Sequence, residues 1–177
     1  RPGIHDVLLS MGMVEGAEYL IHTYDLPLTL RDYEPAMRQV IRDLYQKVEL
    51  KPGVREMLAR LKAEGARMCI CSNTWADQCE EVLTRLGVAD YFEFFCTAQG
   101  AKSKAHPAVF HEVLGRLGGS CPADAVVCED AVYASRTAKQ CGFYLIDIET
   151  SAADKPELQR LADQYIPDWT KLDWAEL

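Results

Sequence analysis

The sequence predicts an α/β fold: a Rossmann-like parallel sheet with helices on both faces, preceded by a helical region. Three observations carry this. The first fifty residues show helical periodicity and no strand signal. After Pro52-Gly53, short apolar runs alternate strictly with amphipathic stretches, which implies βαβ units; right-handed crossovers then place helices on both faces of a parallel sheet. Several of the apolar runs end in polar residues, at the carboxyl ends of strands where such sheets bind ligands.

The elements follow in order. Residues 13–24 (MVEGAEYLIHTY) and roughly 31–47 read as amphipathic helices, and in the second Met37, Val40, Ile41 and Leu44 share one face. The loop DLPLTL joins them, with Thr29 as N-cap candidate. Pro52-Gly53 is a turn signal, followed by a helical stripe of Val54, Met57, Leu58 and Leu61 that Gly65 closes. The run MCIC is a strand ending in Ser72-Asn73-Thr74. A helix from about Trp75 to Leu86 stops at Gly87, and FEFFCT is the next strand. Pro107 opens a helix to Leu117, and AVVC is a strand ending in Glu129-Asp130. Val132 to Gln140 is a helix closed by Gly142, and FYLIDI is a strand. The tail from Ser151 is polar, with a short helix at 155–163. There are no internal repeats or low-complexity tracts.

The chain has 177 residues, 49% of them apolar, and a net charge of -8. Such a chain repels nucleic-acid backbones and anionic membranes at long range. It also repels phosphorylated small molecules, so a phosphate site here needs local cations or a metal. No run approaches the roughly 18 apolar residues that span a bilayer, and no basic-then-apolar leader pattern opens the sequence. The seven cysteines are odd in number and follow no zinc spacing. They read as buried thiols acting as small hydrophobes in a reducing cytoplasm.

The strand-end rule selects Ser72-Asn73-Thr74, the loop after Thr97, and Glu129-Asp130. A hydroxyl and exposed N–H groups ahead of a helix can hold phosphate oxygens at Ser72 and Asn73; equally, these residues can cap the helix. Lys104, in GAKSKAHPAVF, can neutralise a phosphate and pair with a carboxylate, whereas taken alone it reads more readily as a solvated loop lysine. Lys102 is its rival. His106 and His111 read as surface residues. Adjacent carboxylates at the strand end Glu129-Asp130 are costly unless something positive compensates. Mg2+ is one natural partner; the alternative is a capping Asp beside an exposed Glu.

These residues, in this order, resemble the haloacid dehalogenase-like hydrolases. CICSNT resembles the family's second motif. KAHPAVF resembles its third, with Lys104 at the lysine position in preference to Lys102 and Phe110 anchoring the helix. VVCEDAVYASRTAKQCGF resembles its fourth, and LKPGVREMLARLKAEG the return from a helical cap to the core. The resemblance covers essentially the whole chain. One feature departs from it: the Asp-x-Asp pair of the first motif occurs nowhere. Asp6, in GIHDVLLS, follows no apolar strand and has no partner two residues on. The resemblance therefore implies an N-terminally truncated chain that begins inside the cap, near Met11-Gly12, and Arg1 in place of a starter Met agrees. It implies a partial helical cap at 1–50 and a core at 51–177 lacking its central first strand, between the strands ending at Ser72 and Asp130. Such a chain is expected to fold poorly alone or to need a complementing segment.

By the same resemblance, the complete protein is a phosphatase that hydrolyses phosphate monoesters of small metabolites through an aspartyl-phosphate. Ser72 and the Asn73 amide bind the phosphoryl group, Lys104 neutralises its oxygens, and Asp130 with Glu129 holds Mg2+. The cap closes over the site and selects the substrate. The nucleophile is absent, so this chain alone is expected to be inactive. A phosphosugar mutase is a further possibility. A dehalogenase fits less well, because its fourth motif usually carries Ser-Asn. A non-catalytic binding or regulatory remnant of the fold is the alternative from a different class.

Overall fold

The computed structural model describes residues 3–9 and 11–177. Helices α1 (Ile4–Leu9), α2 (Met13–Tyr24), α3 (Leu30–Tyr45) and α4 (Val54–Ala63) precede the first strand, β1 (Cys69–Ser72). Then come α5 (Ala76–Arg85), β2 (Phe94–Thr97), α6 (Pro107–Arg116), β3 (Val126–Glu129) and α7 (Val132–Gln140). The chain ends with β4 (Tyr144–Ile148), α8 (Lys155–Leu161) and β5 (Gln164–Ile166), followed by two short 3-10 turns. None of the described helices is long and apolar enough to cross a membrane.

The chain divides into two compact units: Arg1–Glu49 with Arg67–Ser103, and Leu50–Ala66 with Lys104–Leu177. In the first unit, β1 and β2 pair in parallel, from Cys69 against Phe94 to Ser72 against Thr97. In the second, β3, β4 and β5 form a parallel sheet in that order. The strand directions match the βαβ reading, while the strands form two sheets, one in each unit. Two elements carried no usable sequence signal. Six residues (α1) are too few to show helical periodicity, and β5 is three residues in a polar tail.

In the first unit, α3 begins at the foreseen cap. The Thr29 amide and hydroxyl both donate to the Asp32 carboxylate, at 3.1 and 2.6 Å, holding that carboxyl below its ordinary value. The predicted apolar face of α3 needs correction. Ile41 is buried, but Val40 and Leu44 are 50% and 59% exposed. The face that meets α5 and the residues leading into it is instead made by Arg38, Arg42 and Tyr45 around Ile41, at helical spacing, through polar contacts with Asp77, Glu81 and Thr74. The buried apolar set of this unit includes Ala17, Trp75, Cys79, Val88 and Ala98.

In the second unit, Leu145, Ile146 and Ile148 of β4 are buried, as are Leu158 of α8, Ala134 and Ala138 of α7, and Phe110 and Leu114 of α6. Each large side chain in this set contributes roughly 1.5–3 kcal/mol by burial. Gly53 has φ +82, and a Cβ there would lie 2.7 Å from the Thr170 nitrogen and 2.8 Å from the Trp169 carbonyl carbon. The Trp169 amide donates to the Pro52 carbonyl at 3.1 Å. The Pro52-Gly53 turn is thus fixed by close backbone approach as well as by chirality. Strand β3 departs from its apolar sequence: Val126 is 44% exposed and Cys128 is exposed. The cysteine expectation is corrected with it. Cys79 is buried, Cys121 and Cys128 are exposed, and the other four are intermediate.

Candidate functional site

The polar residues selected at strand ends fall into two groups, one in each unit. In the first unit, β1 ends at Ser72 and three residues lead into α5. The Thr74 amide donates to Ser72 Oγ at 3.1 Å, so that oxygen accepts from the backbone and its own proton is left to be donated elsewhere. Asn73 Nδ2 donates to the Met11 carbonyl at 3.4 Å. Neither residue caps α5. The N-cap is Trp75, and the Ala76 amide donates to Thr97 Oγ1 at 2.8 Å. The capping alternative for Ser72 and Asn73 is therefore excluded, because β2 supplies the hydroxyl that satisfies the start of the helix.

In the second unit, Lys104 and Glu129 form an ion pair of 2.6 Å, with side chains 13% and 6% exposed. Burial opposes the charge on Lys104, but the Glu129 carboxylate outweighs it, with Tyr133 and Asp130 adding. The ammonium is held above its ordinary value of 10.5. The other oxygen of Glu129 accepts the Asp130 amide at 3.3 Å. Asp130 stands one residue beyond β3 and is exposed. The cation that faces buried Glu129 is thus Lys104. Lys102 is exposed, and Phe110 is buried and stacks at 6.0 Å on Phe143, anchoring α6. His106 and His111 are exposed, as expected.

One residue of this group escaped the sequence reading. Asp147 lies beside Glu129 in the β3–β4 register and is fully buried. Ser135 Oγ donates to its Oδ1 at 2.7 Å, while Oδ2 has no partner. Burial pushes this carboxyl up to about 6; Ser135 pulls the other way, and Glu129 and Asp130 add to the rise. The signal was present: a carboxylate inside the apolar run FYLIDI demands a buried partner.

No group of three metal-ligating side chains occurs among the described residues. Mg2+ does not need one, because it takes one or two carboxylates and keeps waters or substrate oxygens for the rest. Asp130 suits that requirement. Residue Asp130 is exposed, and among the described residues its hydrogen bonds run through its backbone amide and carbonyl. Glu129 suits direct ligation less well, because Lys104 and the Asp130 amide occupy its two oxygens.

Solved structures place this fold. The chain is similar to CbbY from Rhodobacter sphaeroides in complex with xylulose-(1,5)bisphosphate, with a TM-score of 0.80 at 23% identity, over 97% of this chain and 80% of that one. It is similar to β-phosphoglucomutase from Clostridium difficile, with a TM-score of 0.76 at 15% identity, over 99% and 79% of the two chains. Residues 6–148 match the haloacid dehalogenase-like hydrolase family, and the chain belongs to it. Among curated relatives, a phosphoglycolate phosphatase from Nitrosococcus oceani is 31% identical over 59% of this chain and 53% of its own length. Hexitol phosphatase B from Escherichia coli K12 is 26% identical over 96% of this chain and 76% of its own length. The chain thus spans about half the length of the first of these relatives and about three quarters of the second.

Proposed function

We propose that this chain serves a Mg2+-dependent phosphatase acting on monoesters of small phosphorylated metabolites. The observation that carries the reading is the buried Lys104–Glu129 pair beside the open Asp130 carboxylate, at the strand end where ligands bind in α/β sheets. The relatives named phosphatases support it.

Each residue has a task in this reading. The Ser72 hydroxyl, its oxygen already accepting from Thr74, donates its proton to a phosphoryl oxygen, and the Asn73 amide adds a second donor. Lys104 neutralises developing charge, and Glu129 fixes where its ammonium points. Mg2+ supplies charge neutralisation when bound; Asp130 would hold it directly and Glu129 through water. Residues 1–50 act as part of a cap and 51–177 as the core. The reaction passes through an aspartyl-phosphate. An Asp-x-Asp pair is absent from these 177 residues, so the nucleophile and the acid/base come from outside them. The setting is cytoplasmic, where the seven thiols stay reduced.

A panel of phosphomonoesters, presented to the full-length protein with Mg2+ and with EDTA, tests this reading. Metal-dependent release of phosphate is expected; its absence across the panel would overturn it. The missing Asp-x-Asp pair favours one second reading, a binding or regulatory remnant. That reading requires phosphate binding without turnover in the full-length protein.

A further inference from the structure

The three residues between Ser72 and α5 are each held by the leading helical region. The Met11 carbonyl accepts from Asn73 Nδ2 at 3.4 Å. The Tyr45 hydroxyl shares a hydrogen bond of 3.1 Å with Thr74 Oγ1. The Arg38 guanidinium lies 4.3 Å from the centre of the Trp75 ring, and Trp75 is buried. Thr74 is the residue whose amide donates to Ser72 Oγ. A hydroxyl on the last turn of α3 therefore stands one hydrogen bond away from the residue that orients Ser72.

Tyr45 is itself fixed. Arg85 Nη2 donates to the carbonyls of Tyr45 and Val48, both at 2.7 Å, pinning the end of α3 to the end of α5. Gln78, 2% exposed, donates to the Arg38 carbonyl at 2.7 Å about two turns earlier. With its backbone held at both points, α3 presents the Tyr45 hydroxyl to Thr74 from a fixed helix end.

We propose that Tyr45 is a positioning residue of the phosphate-binding loop: through Thr74 it holds the Ser72 hydroxyl in the orientation that donates to a phosphoryl oxygen. This rests on the reading of Ser72 and Asn73 as phosphate-binding and adds a residue that touches no substrate. It also gives the leading helices a direct mechanical effect on phosphate affinity. A displacement of α3 that withdraws Tyr45 releases Thr74 and with it the donor to Ser72.

The test is an NMR titration of the full-length protein with inorganic phosphate, followed at the amides of Asn73 and Thr74, with melting curves for each variant. Tyr45→Phe deletes one oxygen and should raise the phosphate Kd about five-fold, the scale of one neutral hydrogen bond, while the cooperative melting transition is retained. Thr74→Val removes the same bond from the other side and should match it, so the test survives the loss of either variant's fold. Thr74→Ser keeps the hydroxyl and should bind as the parent does. The double variant should be no weaker than either single one. Ser72→Ala separates the two levels. If the parent shows no response, or Ser72→Ala titrates like the parent, the phosphate-loop reading fails and the inference with it. If Ser72→Ala loses binding while Tyr45→Phe titrates like the parent, the inference alone is overturned.

Discussion

Replacing Lys104 by Met keeps most of its length and removes the charge. Glu129 then remains at 6% exposure with no cation 2.6 Å away. Removing one partner of a buried pair costs about 3–5 kcal/mol, because the other charge is left uncompensated. Glu129 keeps one hydrogen bond, from the Asp130 amide, and exposed Asp130 marks water nearby, so the lower figure of about 3 kcal/mol applies. Glu129→Gln strands the ammonium instead and should cost a similar amount. The double variant carries no buried charge and should lie within about 1 kcal/mol of the parent, giving a coupling energy of about 5 kcal/mol. The assay is urea unfolding of all four proteins at pH 7.5 with EDTA. The pH choice follows from the sign of the shift. Lys104 titrates above its ordinary value when folded, so its contribution is fully present below pH 10.5 and is lost only as the pH rises past that raised value. Single variants within 0.5 kcal/mol of the parent, or costs that simply add in the double variant, would refute the reasoning.

Three further outcomes follow from the second unit. Asp147 has its carboxyl raised from 3.8 to about 6, so its stabilising effect is complete below pH 3.8 and is lost as the pH rises through 6. Asp147→Asn should therefore stabilise the protein by about 1–2 kcal/mol at pH 8. This is less than the roughly 3 kcal/mol that two units imply, because the new amide nitrogen lacks an acceptor. The gain should vanish near pH 4, as read by unfolding in EDTA; an equal effect at both pH values would contradict the assignment. Gly53→Ala should cost about 2 kcal/mol in unfolding free energy, from the positive φ and the 2.7 Å approach to Thr170; a neutral result would show that the turn can move. Asp130→Asn should weaken Mg2+ binding in calorimetry of the full-length protein far more than Glu129→Gln, and equal losses would make Glu129 a direct ligand.

The alternation of elements was readable because strands ended in polar residues and helices in Gly65, Gly87 and Gly142. Lys104 was preferred to Lys102 through the resemblance of KAHPAVF to the family's third motif; in the structure Phe110 is buried and Lys102 is exposed. The α3 face was misread because periodicity sees only apolar residues: Val40 and Leu44 satisfied the pattern while Arg38, Arg42 and Tyr45 made the contacts. The strand β3 read as buried because Val126, Val127 and Cys128 are apolar, yet exposure depends on neighbours in space. Asp147 went unremarked because its partner, Ser135, is distant in sequence and ordinary in type. Tyr45 was invisible for the same reason, since its link to Thr74 spans 29 residues.

The central claim is that Lys104, held by Glu129, supports Mg2+-dependent phosphoryl transfer. The most direct measurement is kcat/KM of the full-length protein and its Lys104→Ala and Lys102→Ala variants on one phosphomonoester under saturating Mg2+, with folding checked by melting. The account predicts a loss of at least about 2 kcal/mol in transition-state stabilisation for Lys104→Ala and a change within about 0.5 kcal/mol for Lys102→Ala. A crippled Lys102→Ala beside a near-normal Lys104→Ala, or hydrolysis that persists undiminished in EDTA, would contradict it.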